Sequence, residues 1–396
     1  MKKSRIAILG EGLTAKCVKQ FCKKEGFDIV SPEEAELVIA SPGIPPEQYP
    51  HCDAEIISDI EWAYRLFKQS NNPPKLIAVT GTNGKSTVTA MISHVIDAPY
   101  AGNIGIPLIN YVGLENEFPV IVVELSSYQL ESCSQFKPDI AVFLNMEEDH
   151  LARHKTMDEY AKQKTKCFIK QDENDVLIFN AEDERVAKLA KRAESKKVSF
   201  SDKQLNPDLD KLNLVGLHNK VNAQVALLVA AECGISEKEA LGFLISYKGL
   251  RHRLELVTEQ NGVAFYNDSK ATNPSSTLVA LDAFDAPVHL MLCGEDKKLA
   301  LHSFIEAVQK RAATVITFGD ISSRYVSLSK EIDPNFCIIK VDNLEQAIQK
   351  SIELSDAGEV VLFSPSSSSY DQFTGFESRG DAFVEHLAEV ADEILV

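Results

Sequence analysis

Residues 80–87 read Thr-Gly-Thr-Asn-Gly-Lys-Ser-Thr, between an apolar run at 76–79 and a helix-forming stretch at 88–94. Such a loop allows its flanks one arrangement. A strand must end where a helix begins, so that backbone N–H groups bared by the glycines converge on an anion and the helix N-terminus adds partial positive charge. Lys85 would reach the β and γ phosphates of a nucleotide and Ser86 a Mg2+ ion. Val79 stands six residues before the lysine, where the standard phosphate-loop pattern has glycine. A bare strand-turn-helix connection would use similar turn formers, but the core Gly84-Lys85-Ser86-Thr87 argues for phosphate.

The same strand-then-helix alternation runs through the chain. Short β-rich apolar runs at 5–9, 37–40, 76–79, 120–123, 140–144, 288–292, 314–318, 337–341 and 360–363 are separated by helical patterns. This predicts an α/β protein whose parallel sheets carry helices on both faces. The polar, proline-paired stretch 69–75 reads as an extended connector. Near 248–251 the helical stretches 222–233 and 237–246 give way to strand-like segments. Three domains are expected, at 1–72, 73–248 and 249–396.

With 396 residues, 44% apolar and 25% charged, the chain can fill several cores. Its net charge of −17 opposes a nucleic-acid or anionic-membrane partner, so an anionic ligand must be held by local groups. Eight cysteines, at 17, 22, 52, 133, 167, 233, 293 and 337, include no Cys-x-x-Cys pair and point to reduced thiols in a cytoplasm. The start, Met1-Lys-Lys-Ser-Arg, is followed by only the apolar residues 6–9 before Gly10, too few for a signal peptide. No run approaches the length of a membrane span.

The first domain opens with a strand and the turn Gly10-Glu-Gly12-Leu-Thr-Ala15, which suits a diphosphate on a helix N-terminus. NAD would also need an acidic residue ending the next strand. Residues 27–30 instead run into Ser31-Pro32, which argues against that cofactor. Ser41-Pro-Gly-Ile-Pro45 follows another strand and either exposes amides at the same edge or is a plain turn. In the second domain Glu124 ends an apolar run, where an acid is placed to hold the nucleotide's Mg2+. The stretch Asn145-Met-Glu-Glu-Asp-His-Leu-Ala-Arg-His154 lies at the carboxyl edge, where open parallel sheets bind ligands. His150 there is a metal or substrate ligand, or part of an exposed polar loop. Lysines 162, 164 and 166 have, by spacing alone, the look of a solvated helix face.

Together these motifs resemble the ATP-dependent Mur ligases of peptidoglycan synthesis, a superfamily shared with folylpolyglutamate synthase. The loop at 81–86 has that family's form, which accounts for Val79. Further matches are Asn103-Ile-Gly, Glu124-Leu-Ser-Ser-Tyr-Gln-Leu-Glu131, Asp149-His-Leu-Ala-Arg-His154, Gly216-Leu-His-Asn-Lys-Val-Asn222, His252-Arg253, Asn267-Asp-Ser-Lys-Ala-Thr-Asn273 and Ser364-Pro-x4-Tyr-Asp-Gln-Phe-x2-Phe-x2-Arg-Gly380. They span the chain and are nearest to the D-glutamate-adding type. The resemblance implies a small Rossmann-like N-terminal domain, a central P-loop ATPase-like domain and a C-terminal doubly wound α/β domain. It implies ATP-dependent joining of D-glutamate to UDP-N-acetylmuramoyl-L-alanine through an acyl phosphate, with Mg2+ at two sites, in a cytoplasmic monomer that uses neither nucleic acid nor membrane.

By resemblance, Gly81, Thr82, Asn83, Gly84, Lys85, Ser86 and Thr87 bind the ATP phosphates. Asn219 and Asn222 lie at the adenine side, and Arg253 and Asp268 reach the nucleotide from the third domain. Ser86, Glu124, His150 and a carbamylated Lys164 are the metal ligands, with Lys162 and Lys166 as the neighbouring registers. Carbamylation turns a cation that would repel Mg2+ into a carboxylate-like ligand. Leu13, Thr14 and Gly43 meet the UDP-muramyl substrate, and Asn103 lies near its reacting carboxylate. Lys270, Thr272, Lys298, Ser369 and Phe376 hold D-glutamate, with Lys297 as the neighbouring register in Gly294-Glu-Asp-Lys-Lys298. The chain also departs from the family. The stretch between Gly12 and Ser41 is short and lacks the usual uracil contacts, the segment between Asn180 and Gly216 is trimmed, and Ala152 stands where an aspartate is usual.

Other readings fit less well. A diamino-acid-adding ligase would carry Asp-Asn-Pro-Arg in the third domain, and none is present. Folylpolyglutamate synthase leaves 364–380 and the opening Gly-x-Gly segment unexplained. A nucleotide sensor with a dead site would not keep Lys85, Glu124, His150 and Lys164 together. An NAD-dependent oxidoreductase would bind its cofactor within 1–70.

Overall fold

The computed structural model describes residues 4–394. The chain forms two compact units, one of residues up to 211 with 220–247, the other of 212–219 with 248 onward. The first contains two sheets and the second one.

Strands β1 (Arg5–Leu9), β2 (Asp28–Ile29), β3 (Leu37–Ala40) and β4 (Glu55–Ser58) form a parallel sheet in the order β2-β1-β3-β4. The order reverses between β1 and β3, so the loops after these strands part and leave a crevice at the carboxyl edge. Gly10 and Ser41 face each other there. Gly10 has φ +108°, and a Cβ on it would come within 2.6 Å of Ser41 Oγ, so no side chain fits.

The second sheet has β5 (Lys75–Thr80), β6 (Tyr100–Gly102), β7 (Val120–Glu124), β8 (Ile140–Phe143), β9 (Val176–Asn180) and β10 (Lys196–Phe200), all parallel, in the order β10-β9-β8-β5-β7-β6. β5, β7 and β8 are buried almost throughout, as continuous apolar runs covered on both faces must be. The central position of β5 places the phosphate loop between the ends of β7 and β8. The edge strand β10 opens with two exposed lysines and buries only Phe200, so it has no apolar run to betray it.

The apolar residues of these two sheets form one cluster, from Ile39 and Phe67 to Val123 and Phe143. A buried carboxylate fastens the sheets as well: Glu61, on the helix Asp59–Phe67, accepts from the backbone amides of Ser134, Gln135 and Phe136.

In the second unit β11 (Glu255–Gln260), β12 (Val263–Asn267), β13 (Val288–Leu292), β14 (Ala312–Thr317), β15 (Ile338–Lys340) and β16 (Val360–Phe363) lie in the order β11-β12-β16-β13-β14-β15. Leu290, Leu292 and Leu362 pack into one layer, and Met291, Val361 and Phe363 into the other. That alternation covers both faces with helices. Among the described strands of this sheet, the others are parallel and the edge strand β11 runs antiparallel. Its turn is Asn261-Gly262 with φ +51° and +80°, the two-residue hairpin that an Asn-Gly pair favours.

Candidate active site

The phosphate loop takes its shape from two glycines and one asparagine. Gly81 (φ +157°) and Gly84 (φ +80°) lie against Leu144 and Asn222, and a Cβ on either would come within 3.0 Å of them. Asn145, just beyond β8, accepts from the amides of Thr82 at 2.9 Å and Asn83 at 2.8 Å, and donates to the Asn83 carbonyl. Lys85, first residue of the helix Lys85–Ile96, turns its Nζ back to the Thr82 carbonyl at 2.7 Å. Ser86 follows it, buried at the helix start.

Glu124 ends β7 beside this loop and is 1% exposed. Its Oε1 accepts from Asn103 Nδ2 at 2.8 Å, whereas Oε2 is buried with no hydrogen-bond partner. A buried carboxylate oxygen without a donor is costly, and a cation would satisfy it. Gly102 precedes Asn103 because a Cβ there would run into the Glu124 carbonyl. Among the described residues, no three His, Cys, Asp or Glu side chains converge as a ready-made metal site. The donors at this edge are mixed: a serine hydroxyl, one carboxylate, one imidazole and a lysine.

Lys164 sits on the helix Met157–Thr165, 1% exposed, with Nζ 2.7 Å from the Gly81 carbonyl and 4.7 Å from the centre of the Tyr160 ring. Burial, with Lys85 nearby, holds its amine well below the ordinary lysine range. Spacing suggested a solvated face for lysines 162, 164 and 166. The helix instead exposes Lys162, which pairs with Glu159, and buries Lys164. Lys166 Nζ donates to the Glu131 carbonyl.

His150 has φ +57° and caps a single helical turn, Leu151–His154, that ends at Lys155 with φ +67°. Two left-handed residues other than glycine bracketing one turn are a conformation that neighbours must enforce. They do so through side chains: the Tyr128 hydroxyl lies 3.0 Å from His150 Nδ1, and His154 Nε2 lies 2.8 Å from Ser127 Oγ. Burial first, then Lys164 and Lys85, push the His150 imidazole below its usual range, so it is neutral near pH 7.

At the first sheet's switch point Leu13 is exposed, at the start of the helix Leu13–Glu25, with Thr14 next to it and Gly43 exposed in the facing loop.

In the second unit Arg253 lies between two left-handed residues, His252 (φ +62°) and Leu254 (φ +46°). Asp268 accepts from Ser364 Oγ at 2.7 Å and from the Leu254 amide, and burial pushes it up to about 7. Asn219 donates to the Val215 carbonyl at 2.8 Å. Arg379 is fully buried and joins two loops: it donates to Ser269 Oγ and the Ser269 carbonyl in one and to the Ser367 carbonyl in the other. Lys270 Nζ stands 3.7 Å from the centre of the Phe376 ring, and Ser369 is buried in the same loop system. Of the two adjacent lysines, Lys297 reaches the Thr272 carbonyl at 3.3 Å. Lys298 does not join the group. Its Nζ is drawn to Asp296 at 2.6 Å, and its side chain is 81% exposed.

Sequence reasoning left Asn145, Tyr128, Arg153 and Arg379 without roles. Each lies inside a quoted motif, and Arg379 could have been suspected from its company of Ser, Phe and Gly, since a buried arginine needs carbonyls around it.

Residues 79–227 match the Mur ligase middle domain and residues 252–367 the Mur ligase glutamate ligase domain. The chain belongs to the Mur ligase family. More particularly, it is similar to UDP-N-acetylmuramoylalanine–D-glutamate ligases: 33% identical to that of Clostridioides difficile over 90% of this chain and 84% of the relative. The Aquifex aeolicus protein of the same name is 34% identical, over 98% and 99%, and that of Bacillus subtilis 34%, over 94% and 87%. In fold the chain is similar to the Thermotoga maritima MurF ligase solved with ADP, with a TM-score of 0.64 and 16% identity over 98% of this chain and 96% of that one. Folylpolyglutamate synthase of Mycobacterium tuberculosis gives 0.63 and 14%, over 83% and 94%.

Proposed function

We propose that the protein is an ATP-dependent ligase that adds D-glutamate to UDP-N-acetylmuramoyl-L-alanine in peptidoglycan precursor synthesis. One observation carries this most directly: a buried lysine amine, an orphaned carboxylate oxygen and a phosphate loop meet at the edge of a single sheet, and the relatives at 33–34% identity bear that activity in their names.

In this reading residues 1–72 bind the sugar nucleotide through Leu13, Thr14 and Gly43, 73–248 bind ATP, and 249–396 bind the amino acid. A carboxylate is a poor acyl donor until one oxygen becomes a leaving group. The substrate carboxylate, oriented by Asn103, attacks the γ-phosphate; the bond from phosphorus to the β,γ-bridging oxygen breaks, ADP leaves and an acyl phosphate forms, while Lys85 and the loop amides neutralise the charge that develops. The D-glutamate amine then attacks the acyl phosphate and phosphate departs. Positioning and electrostatics supply the catalysis, so no nucleophilic side chain is needed.

Mg2+ would be held by Ser86 and Glu124, with His150 and carbamylated Lys164 holding a second ion, and would supply charge neutralisation at the phosphates. The orphaned Glu124 oxygen and the neutral His150 fit that purpose. Asn219, Asn222, Arg253 and Asp268 are assigned to the nucleotide. Lys270, Thr272, Ser369 and Phe376 are assigned to D-glutamate, with Lys297 replacing Lys298 as the carboxylate-binding lysine. All eight cysteines are free thiols, and no helix among the described residues is long and apolar enough to cross a membrane. A cytoplasmic monomer is the form we assign.

Phosphate release from Mg-ATP and UDP-N-acetylmuramoyl-L-alanine tests the reading, with D-glutamate set against L-glutamate, L-alanine, diaminopimelate and L-lysine. Release that depends on D-glutamate is expected. Release with another acceptor would reassign the second unit's site, and silence with all five would remove the ligase reading.

A further inference from the structure

Arg153, on the short helix Leu151–His154, reaches the loop that follows β3 of the first sheet. Nη1 donates to the Pro42 carbonyl at 2.8 Å and Nη2 to the Ile44 carbonyl at 3.1 Å, gripping the loop that follows β3 on both sides of Gly43. Nε donates to both oxygens of Glu131 at 3.0 and 3.1 Å, and Nη2 also meets Glu131. The guanidinium stands over the Tyr128 ring, its carbon 4.2 Å from the ring centre. Both partners of the ion pair are largely covered, the Arg153 side chain 13% exposed and that of Glu131 7%. The Tyr128 hydroxyl in turn meets His150, and the Arg153 amide donates to the His150 carbonyl at 3.0 Å.

A planar fork with fixed donors suits this task, and an ammonium does not. Glu131 and Tyr128 hold the plane of the guanidinium, and its outer edge is left to define where two carbonyls stand. The loop between those carbonyls has no regular structure of its own to hold it: one turn hydrogen bond, from the Ile44 amide to the Ser41 carbonyl, is the local restraint.

We propose that Arg153 is a positioning residue for the sugar nucleotide. It ties the loop 41–45 to the helix that begins at His150, so the diphosphate end and the reacting end of one substrate are kept at a set spacing. This rests on the reading of the first sheet as the sugar-nucleotide site. No catalytic contact is assigned to Arg153; its effect is on where Gly43 stands. Charge alone cannot substitute, because a lysine keeps the pair with Glu131 but cannot also hold two carbonyls.

Arg153→Lys tests this in the full chain by calorimetric titration with UDP-N-acetylmuramoyl-L-alanine, without ATP, and in parallel with Mg-ADP. The expected result is a Kd for the sugar nucleotide raised about tenfold, as for loss of one or two charge-assisted hydrogen bonds. The Kd for Mg-ADP should stay within about twofold, and in turnover KM for the sugar nucleotide should rise while KM for ATP does not. Glu131→Gln frees the guanidinium without removing it and is expected to raise the same Kd by about threefold, which serves if the lysine variant does not fold. Unchanged sugar-nucleotide binding in the variants overturns the proposal, as does equal weakening of both ligands, the mark of a loosened fold. If the wild type binds Mg-ADP but not the sugar nucleotide, the reading of the first sheet falls and the proposal with it; a wild type that binds both, with variants that match it, sinks the proposal alone.

Discussion

Lys164 Nζ donates to the Gly81 carbonyl at 2.7 Å, which sets a buried amine against the backbone of the phosphate loop. An ammonium there would compete with Mg2+ for the same anionic surroundings. Because burial and Lys85 favour the neutral form, the amine has a free lone pair, the species that adds CO2 to give a carbamate. Protein equilibrated with 13C-bicarbonate should show a carbamate carbon resonance that is absent in Lys164→Arg, and kcat of that variant should fall by about 10²–10³. The resonance should weaken as pH falls, since protonation removes the reactive amine. Persistence of the resonance in the variant would show that it comes from another amine.

Glu124 presents one oxygen to Asn103 and one to nothing. Glu124→Gln keeps the shape and can still accept from Asn103, but it loses the charge that attracts a cation. Mn2+ titration followed by electron paramagnetic resonance should show affinity lowered by at least about tenfold, with kcat lowered by about 10² or more. Thermal stability of the metal-free protein should be equal to or above that of the wild type, because an uncompensated buried charge is gone. A large loss of stability with metal affinity intact would make Glu124 a structural residue.

These two residues also show where sequence is legible. Glu124 ends an apolar run, and its position beside the phosphate loop follows once that run is a strand neighbouring β5. The strand-helix alternation likewise reveals parallel sheets because buried strands are continuous apolar runs. β10 escapes that signal because its lysines face solvent, whereas β9 carries the apolar run Val-Leu-Ile-Phe at 176–179 and is legible by the same rule. The Asn261-Gly262 hairpin was readable from the dipeptide, but it is embedded in a region whose other strands are parallel. Lys164 is the opposite case. Spacing offers three lysines as a wet face, and only the fold shows that one of them is walled in by Tyr160 and Gly81. Arg153 is illegible for a related reason: its partners lie 22 and about 110 positions away, and no local pattern announces a carbonyl.

The lysines at 297 and 298 differ in what they face. Lys297 reaches the Thr272 carbonyl, whereas Lys298 is paired with Asp296 and points into solvent. Lys297→Ala is expected to raise KM for D-glutamate about tenfold or more, by loss of a charge-assisted contact to a carboxylate. Lys298→Ala should leave it within about twofold, since exposed ion pairs contribute little. Steady-state kinetics with varied D-glutamate decides between them, and a reversed pattern would put Lys298 in the site.

Asp59 opens the helix Asp59–Phe67 fully buried, and its carboxylate oxygens make no well-formed hydrogen bond, only poorly aligned approaches from its own amide and that of Ile60. Burial pushes its carboxyl up from 3.8 to about 7, against the pull of the Asp59 and Ile60 amides. The unfolded chain therefore releases this proton near pH 4 while the folded chain keeps it to about 7. A group whose pKa rises on folding contributes its stability fully below the unfolded value and loses it as pH climbs through the folded one. Between those limits Asp59 should lower stability by about 1.4 kcal/mol per pH unit, about 4 kcal/mol in all. Asp59→Asn cannot ionise, so urea unfolding at pH 5 and pH 8 should show its stability falling less than that of the wild type, with the variant the more stable of the two at pH 8. Asp268, also raised to about 7, titrates in both proteins and cancels in the comparison. If the two proteins lose equal stability between those pH values, the carboxyl of Asp59 is ionised in the fold and some donor stabilises it there.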